Sequence, residues 1–298
     1  MDDNEWLAQR FEEQRGHLRA VAYRMLGSLA EADDAVQDAW LRLSRAGTSE
    51  VENLGGWLTT IVARVCLNML RARHTRREES LGLHLPDPVV SSDTALQPEE
   101  AALLADSVSL ALLVVLDTLT PAERLAFVLH DLFEVPFEEI APMVDRTPTA
   151  ARQLASRARR RVKGAEVPVA DPDLAHQRAV VDAFFSAARE GNFDALVAVL
   201  DPDVVLRGEV GARRPAAVAV YRGAETVARQ ALMFAVPDAQ LRPALVNGAA
   251  GVVAMVRGRP IAVMGFTVAG GTIVEIDAIA DPERVHRIAV AVLNDEEL

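Results

Sequence analysis

Residues 136–163 read PFEEIAPMVDRTPTAARQLASRARRRVK. Within them Ala151, Leu154, Ala155, Ala158 and Val162 recur at i, i+3, i+4, i+7 and i+11, which is one apolar face of a helix. Thr147 is placed to cap that helix, and Pro148 stands at its first position, where a missing N–H costs nothing. The outward face then carries Thr149, Arg152, Gln153, Ser156, Arg157 and Arg160. Phe137 to Val144 predicts a shorter helix, with Asp145-Arg146 as the turn between the two. A short helix, a tight turn and a longer basic helix make a helix-turn-helix, whose second helix enters a DNA major groove N-terminus first. Taken alone, the segment also reads as a basic, solvated amphipathic helix without a DNA partner. Pro142 lies inside the first helix and removes a backbone donor there, so that helix is expected to bend or end early.

The segments on either side agree with this reading. Thr120-Pro121-Ala122-Glu123 is a capping box with proline at the first helical position, and it starts a helix, ERLAFVLHDLF, expected to pack beneath the helix-turn-helix. Residues 5–77 read as three helices. Leu18, Val21, Ala22, Met25 and Leu26 form one stripe, broken by Gly27 and Ser28; a second helix runs from Glu31 to Ser44 and a third from Gly56 to Arg73. The stretch from Arg76 to Gln97 holds prolines and serines and little periodicity, and reads as a linker. Beyond residue 173 two helices (174–190 and 192–200) lead into short apolar segments at 203–207, 216–221, 239–246, 251–257, 260–268 and 272–279. Asn247-Gly248, Gly258 and Gly270-Gly271 punctuate them as hairpin signals, and one helix, 223–235, interrupts them. That is an α+β pattern.

Charge bounds the partners. The 298 residues carry 31 basic and 43 acidic side chains, a net of −12. That sum alone speaks against a nucleic-acid binder, but the basic residues are gathered. Residues 64–77 contain Arg64, Arg71, Arg73, Arg76 and Arg77 and no acid, and residues 146–163 hold six arginines and Lys163, also without an acid. Acids cluster elsewhere, notably in EADD at 31–34, so two kinds of partner are expected. Residues 164–298 hold 12 basic and 18 acidic side chains. A single cysteine, Cys66, excludes an intrachain disulfide framework and a cysteine-rich zinc site. No apolar run reaches the ~20 residues that span a bilayer, and the start is acidic rather than basic and then apolar. A cytoplasmic location is expected.

LTPAERLAFVLHDLFEVPFEEIA and RTPTAARQLASRARRRV resemble the sigma-4 domain of extracytoplasmic-function (ECF) RNA polymerase sigma factors, which reads the promoter −35 element. AEADDAVQDAWLRL resembles the sigma-2 segment that docks on core polymerase, and GGWLTTIVARVCLNMLRARHTRR the part that melts and reads the −10 element. LHLPDP at 83–88 resembles the linker of those members that carry a SnoaL-like C-terminal domain, a fold related to nuclear transport factor 2 (NTF2), and the tail from 173, with DPERV at 281–285, resembles that domain. Where better-known members have a glycine-rich DGGGK sequence, this chain has Arg207-Gly208-Glu209-Val210-Gly211-Ala212-Arg213.

The resemblance implies a multidomain chain of two all-α sigma domains followed by an α+β SnoaL-like (NTF2-like) cone. Its expected parts are sigma-2 at 1–77, a linker at 78–98, sigma-4 at 99–163, a linker at 164–172 and the C-terminal domain at 173–298. It implies core-polymerase contacts at Asp33, Asp34, Gln37, Asp38, Trp40 and Leu41. It implies −10 contacts at Arg64, Asn68, Arg71, Arg73, Arg76 and Arg77, and −35 contacts at Arg146, Thr149, Arg152, Gln153, Ser156, Arg157 and Arg160. Residue chemistry is compatible. Asp34 and Asp38 share a helix face beside Trp40 and Leu41, although pattern alone favours a solvated acidic face with a buried Trp40. Arginines with Asn68 can hold phosphates and a flipped base, whereas Trp57 continues an apolar stripe and reads as core.

The implied partners are core polymerase, promoter DNA, the C-terminal domain packing on the sigma domains, and a small ligand in the cone. No catalytic residue, metal or cofactor is expected. None of the six histidines falls in the strand region, and the carboxylates there, Glu209, Glu275 and Asp277, form no metal-ligand cluster. A conventional helix-turn-helix regulator and a SnoaL-like enzyme with an appended binding module are the alternatives.

Overall fold

The computed structural model describes residues 3–46, 53–77, 85–92, 109–165, 167–209, 218–236 and 238–289. These fall into two compact units, one holding residues 3–77, 112–165 and 167, the other residues 85–92, 109–111 and 168–289.

In the first unit, α1 (Asp3–Leu26), α2 (Leu29–Ala46) and α3 (Leu54–Arg77) form a bundle. The predicted stripe Leu18, Val21, Ala22, Met25 and Leu26 is buried, and so are Ala35, Val36, Ala39 and Leu43 of α2. Two polar ties cross the bundle. Arg19 pairs with Asp33 at 2.6 Å, and Arg73 donates to the Leu26 carbonyl at 3.1 Å and pairs with Glu31. Burial pushes the Cys66 thiol up to about 12, so it stays an unreactive neutral thiol inside the bundle.

The second set of helices begins with α4 (Leu110–Asp117) and α5 (Pro121–Phe127), which runs into a π turn at Val128–Leu132. The capping box is formed: the Thr120 hydroxyl accepts from Glu123 N–H, and the Glu123 carboxylate accepts from Thr120 N–H. Next come α6 (Phe137–Ile140) and a 3₁₀ turn at Ala141–Met143. Pro142 thus ends the α-helix after one turn, because its nitrogen has no proton for the backbone ladder. Asp145 makes the tight turn with a φ of 55°, and Thr147 caps α7 (Pro148–Gly164) through Ala150 N–H at 3.3 Å. Ala151, Ala155 and Ala158 are buried, and α7 packs on α5. Small side chains on that face let the two helices approach closely. One buried arginine binds the two helical sets: Arg124 donates to the Arg24 carbonyl from two nitrogens at 3.3 Å and pairs with Asp117 at 3.1 Å.

The other unit is α+β. Helices α8 (Leu174–Glu190), α9 (Phe193–Val199) and α10 (Ala224–Phe234) accompany a seven-stranded sheet. Its strands are β1 (Val90–Ser91), β2 (Leu200–Glu209), β3 (Val218–Arg222), β4 (Gln240–Val246), β5 (Ala249–Val256), β6 (Arg259–Ala269) and β7 (Thr272–Ile279), followed by α11 (Pro282–Ile288). Their order is β1-β4-β5-β6-β7-β2-β3, and among the described residues only β2 and β7 run parallel. The hairpin signals act as read: Asn247-Gly248, Arg257-Gly258 and Gly270-Gly271 all have positive φ, as two-residue type I′ turns require. Phe184, Leu196, Val252, Phe266, Ile273 and Ile276 lie in its core.

Residues 85–91, read from sequence as linker, are built into this sheet. Val90-Ser91 pairs with Leu245-Val246 as an edge strand. Val89 N–H donates to the Asn247 side chain and Asn247 N–H to the Val89 carbonyl, both at 2.8 Å. Leu85, Val89 and Val90 are buried.

Candidate nucleic-acid interface

The recognition face of α7 is set by its capping and by its alanine face. With Ala151, Ala155 and Ala158 turned inward, Thr149, Arg152, Gln153, Ser156 and Arg160 are exposed together. Arg146 is exposed at the turn, its guanidinium donating to the Asp145 carbonyl at 3.0 Å, and Arg152 lies over the Phe137 ring at 5.2 Å. Arg157 is half exposed and pairs with Glu123 at 3.0 Å, and Arg161 reaches the same carboxylate at 3.2 Å. Burial works to raise the Glu123 pKa, but hydrogen bonds from Thr120 and Arg157 and the charge of Arg161 outweigh it, leaving the carboxyl below its ordinary value.

On α3, Arg64, Asn68 and Arg71 are exposed at i, i+4 and i+7, one line along the helix. Arg73, expected beside them, is instead half buried against Glu31 and the Leu26 carbonyl, where it closes the bundle. The side chains of Arg76 and Arg77 lie outside the described residues. Trp57, read from sequence as core, is only partly buried.

The acidic line on α2 divides in the same way. Asp34, Gln37 and Leu41 are exposed, Leu41 at 43%. Asp33 is held by Arg19, Asp38 pairs along the helix with Arg42 at 2.9 Å, and the half-buried Trp40 packs on Phe11 with ring centres 5.0 Å apart. Asp34 has no ion-pair partner among the described residues.

Sequence reasoning missed two sets of residues. One is Glu123, legible only as a cap. The other is a buried node in the second unit, where Arg284 pairs with Asp87 at 2.6 Å and with Glu209, and donates to the Leu85 carbonyl at 2.8 Å. DPERV and LHLPDP mark the two ends of that node, but their contact spans 197 positions in the chain.

A cavity of about 300 Å³ opens in the second unit, lined by Phe184, Phe185, Leu206, Tyr221, Gln230 and Ile276 among others. Leu206, Gly208, Ile276 and Ala278 face it, so the alternating Arg207, Glu275 and Asp277 face the other side of the sheet. Glu275 and Asp277 are therefore outside it, whereas Glu209, the third carboxylate of the strand region, is among the lining residues and is paired with Arg284. Arg207 pairs with Asp277 at 3.0 Å and with Glu275. Burial and the neighbouring Glu275 push the Asp277 carboxyl up to about 7 against the pull of Arg207. Because the folded pKa lies above the unfolded one, this group's contribution to stability is greatest at acid pH and is lost as pH rises towards 7. Unfolding free energies of wild type and Asp277→Asn, measured across that window, should therefore draw apart, with the wild type losing ground as pH rises. A parallel pH dependence would refute the assignment.

A family model of sigma-70 region 2 matches residues 11–76, and one of sigma-70 region 4 matches residues 109–162. The chain is 43% identical over 220 residues to the ECF RNA polymerase sigma factor SigJ of Mycobacterium tuberculosis, covering 74% of this chain and 70% of that one. It is 34% identical over 286 residues to the probable ECF RNA polymerase sigma factor SigI of the same species, covering 95% and 96%. The crystal structure of M. tuberculosis SigJ matches 93% of this chain and 97% of its own, with a TM-score of 0.74 at 37% identity.

Proposed function

This chain belongs to the ECF RNA polymerase sigma factors, and on that footing we propose how its surfaces share the work of promoter recognition. As a sigma factor it is a transcription initiation factor, not an enzyme, and its sigma regions imply core polymerase and promoter DNA as partners. Asp34, Gln37, Asp38 and Leu41 on α2 meet core polymerase. Arg64, Asn68 and Arg71 on α3 hold the −10 strand. Arg146, Thr149, Arg152, Gln153, Ser156, Arg157 and Arg160 meet the −35 duplex. The chain acts in the cytoplasm, where that polymerase works. The observation that carries the reading is the presence in one chain of all three exposed lines, one acidic and two basic.

The test is reconstitution. The purified chain, mixed with bacterial core polymerase and a library of templates randomised upstream, should open a subset of them, read as permanganate-reactive thymines and as transcripts. A conventional helix-turn-helix regulator would instead bind duplex DNA without polymerase and open nothing.

The C-terminal unit regulates in cis. Residues 85–91, which connect the two sigma regions in sequence, are fastened within it by β1, Asn247 and Arg284. Whatever loosens that unit also releases the connection. Its cavity, largely apolar but lined also by Tyr221, Gln230, Arg189 and Glu209, suits a small, mainly apolar ligand.

A further inference from the structure

The Glu123 carboxylate, in a residue 4% exposed, gathers groups from two helices. From the start of its own helix, Thr120 donates to Oε2 through its backbone N–H at 3.2 Å and its hydroxyl at 2.8 Å. From α7, Arg157 Nε donates to Oε1 at 3.0 Å and Arg161 to Oε2 at 3.2 Å. A capping box needs only an oxygen acceptor here, and glutamine supplies one as well as glutamate does. The negative charge serves another end: two cations of the recognition helix converge on it through charge-assisted hydrogen bonds.

For Arg157 the consequence is directional. Its inner edge, at Nε, is held, while its side chain remains 48% exposed. The terminal nitrogens make no hydrogen bond to the described residues, so the outer edge of the planar fork is available. Two parallel donors on one rigid edge are what guanine O6 and N7 accept in the major groove. An unrestrained arginine gives up rotamer freedom on docking, and one already held in plane gives up less.

We infer that Glu123 is a specificity-determining positioning residue, which orients the Arg157 guanidinium for a guanine of the −35 element without touching DNA itself. This rests on the reading of Arg157 as a base contact.

The experiment uses the full chain with core polymerase on templates randomised across the upstream region, with transcripts sequenced to give a base preference at each position. Arg157→Ala should erase a guanine preference at one −35 position. Glu123→Gln, which keeps the cap, should weaken preference at that same position by roughly tenfold and leave other positions as they were. The double variant should lose no more than Arg157→Ala alone. If Glu123→Gln keeps the preference that Arg157→Ala erases, or lowers transcription evenly at all positions, the positioning role is overturned while the base contact stands. If Arg157→Ala changes no preference, the base contact itself falls, and the inference with it. Should Glu123→Gln not fold, Arg157→Lys carries the test: it keeps the exposed charge but loses the held fork. It should lose the same preference with its thermal midpoint unchanged, and an unaltered preference would overturn the proposal.

Discussion

Arg284→Ala should destabilise the C-terminal unit by ~3–5 kcal/mol and free residues 85–91 from its sheet. The guanidinium is buried at 6% exposure and is the cation shared by two buried carboxylates, Asp87 and Glu209. Taking it away leaves both charges in a poorly solvated place without that partner, and the Leu85 carbonyl loses its donor. Urea unfolding of the full chain measures the loss. Hydrogen exchange locates it: the Val89 amide, now donating to Asn247, should exchange far faster in the variant. A loss under about 1 kcal/mol would mean that the node behaves like a surface ion pair. If the C-terminal unit regulates through this segment, the same variant should also change transcription from a responsive template, in either direction. Deleting residues 173–298 is a blunter test, because it uncovers Leu85, Val89 and Val90, which are buried only while the domain is present.

Asp34→Arg combined with Asp38→Arg should weaken binding to core polymerase by several kcal/mol, about a hundredfold or more in Kd. Reversing two charges on one helix face replaces attraction with repulsion wherever the partner surface is basic. The fold should survive. Asp34 is exposed and without an ion pair among the described residues, and Asp38 gives up only a surface contact with Arg42. Asp33 is left in place because its bond to Arg19 joins two helices. Affinity for core polymerase, measured with the far-UV spectrum and melting midpoint as controls, decides it. Unchanged affinity would remove α2 from the interface.

The contrast between Asp33 and Asp34 shows where reading by pattern stops. Both are acids on one helical turn, and helical spacing assigns both to an outward face. Only the position of Arg19, fourteen residues earlier, separates an exposed acid held in an ion pair from one without such a pair among the described residues. Arg73 repeats the lesson on α3. Charge and spacing group it with Arg64 and Arg71, yet its partner Glu31 sits 42 residues away in sequence. The linker is the third case. Proline-rich text without periodicity reads as connection, and a two-residue edge strand is too short for any periodicity to reveal.

By itself the amino-acid sequence determined most of the helices though not α11, the caps at Thr120 and Thr147, the early end of α6 at Pro142, the three hairpin turns and the order of the sigma regions. All of these depend on interactions between residues a few positions apart: i to i+4 spacing, a capping hydroxyl three residues from its amide, a proline without a donor, a glycine at positive φ. Tertiary structure alone decided which charges face outward, that Asp277 lies away from the cavity, and that Arg284 reaches back to Asp87. Those outcomes depend on pairings between residues distant in sequence, and the free energy of a charge is set by what surrounds it, which no local pattern records.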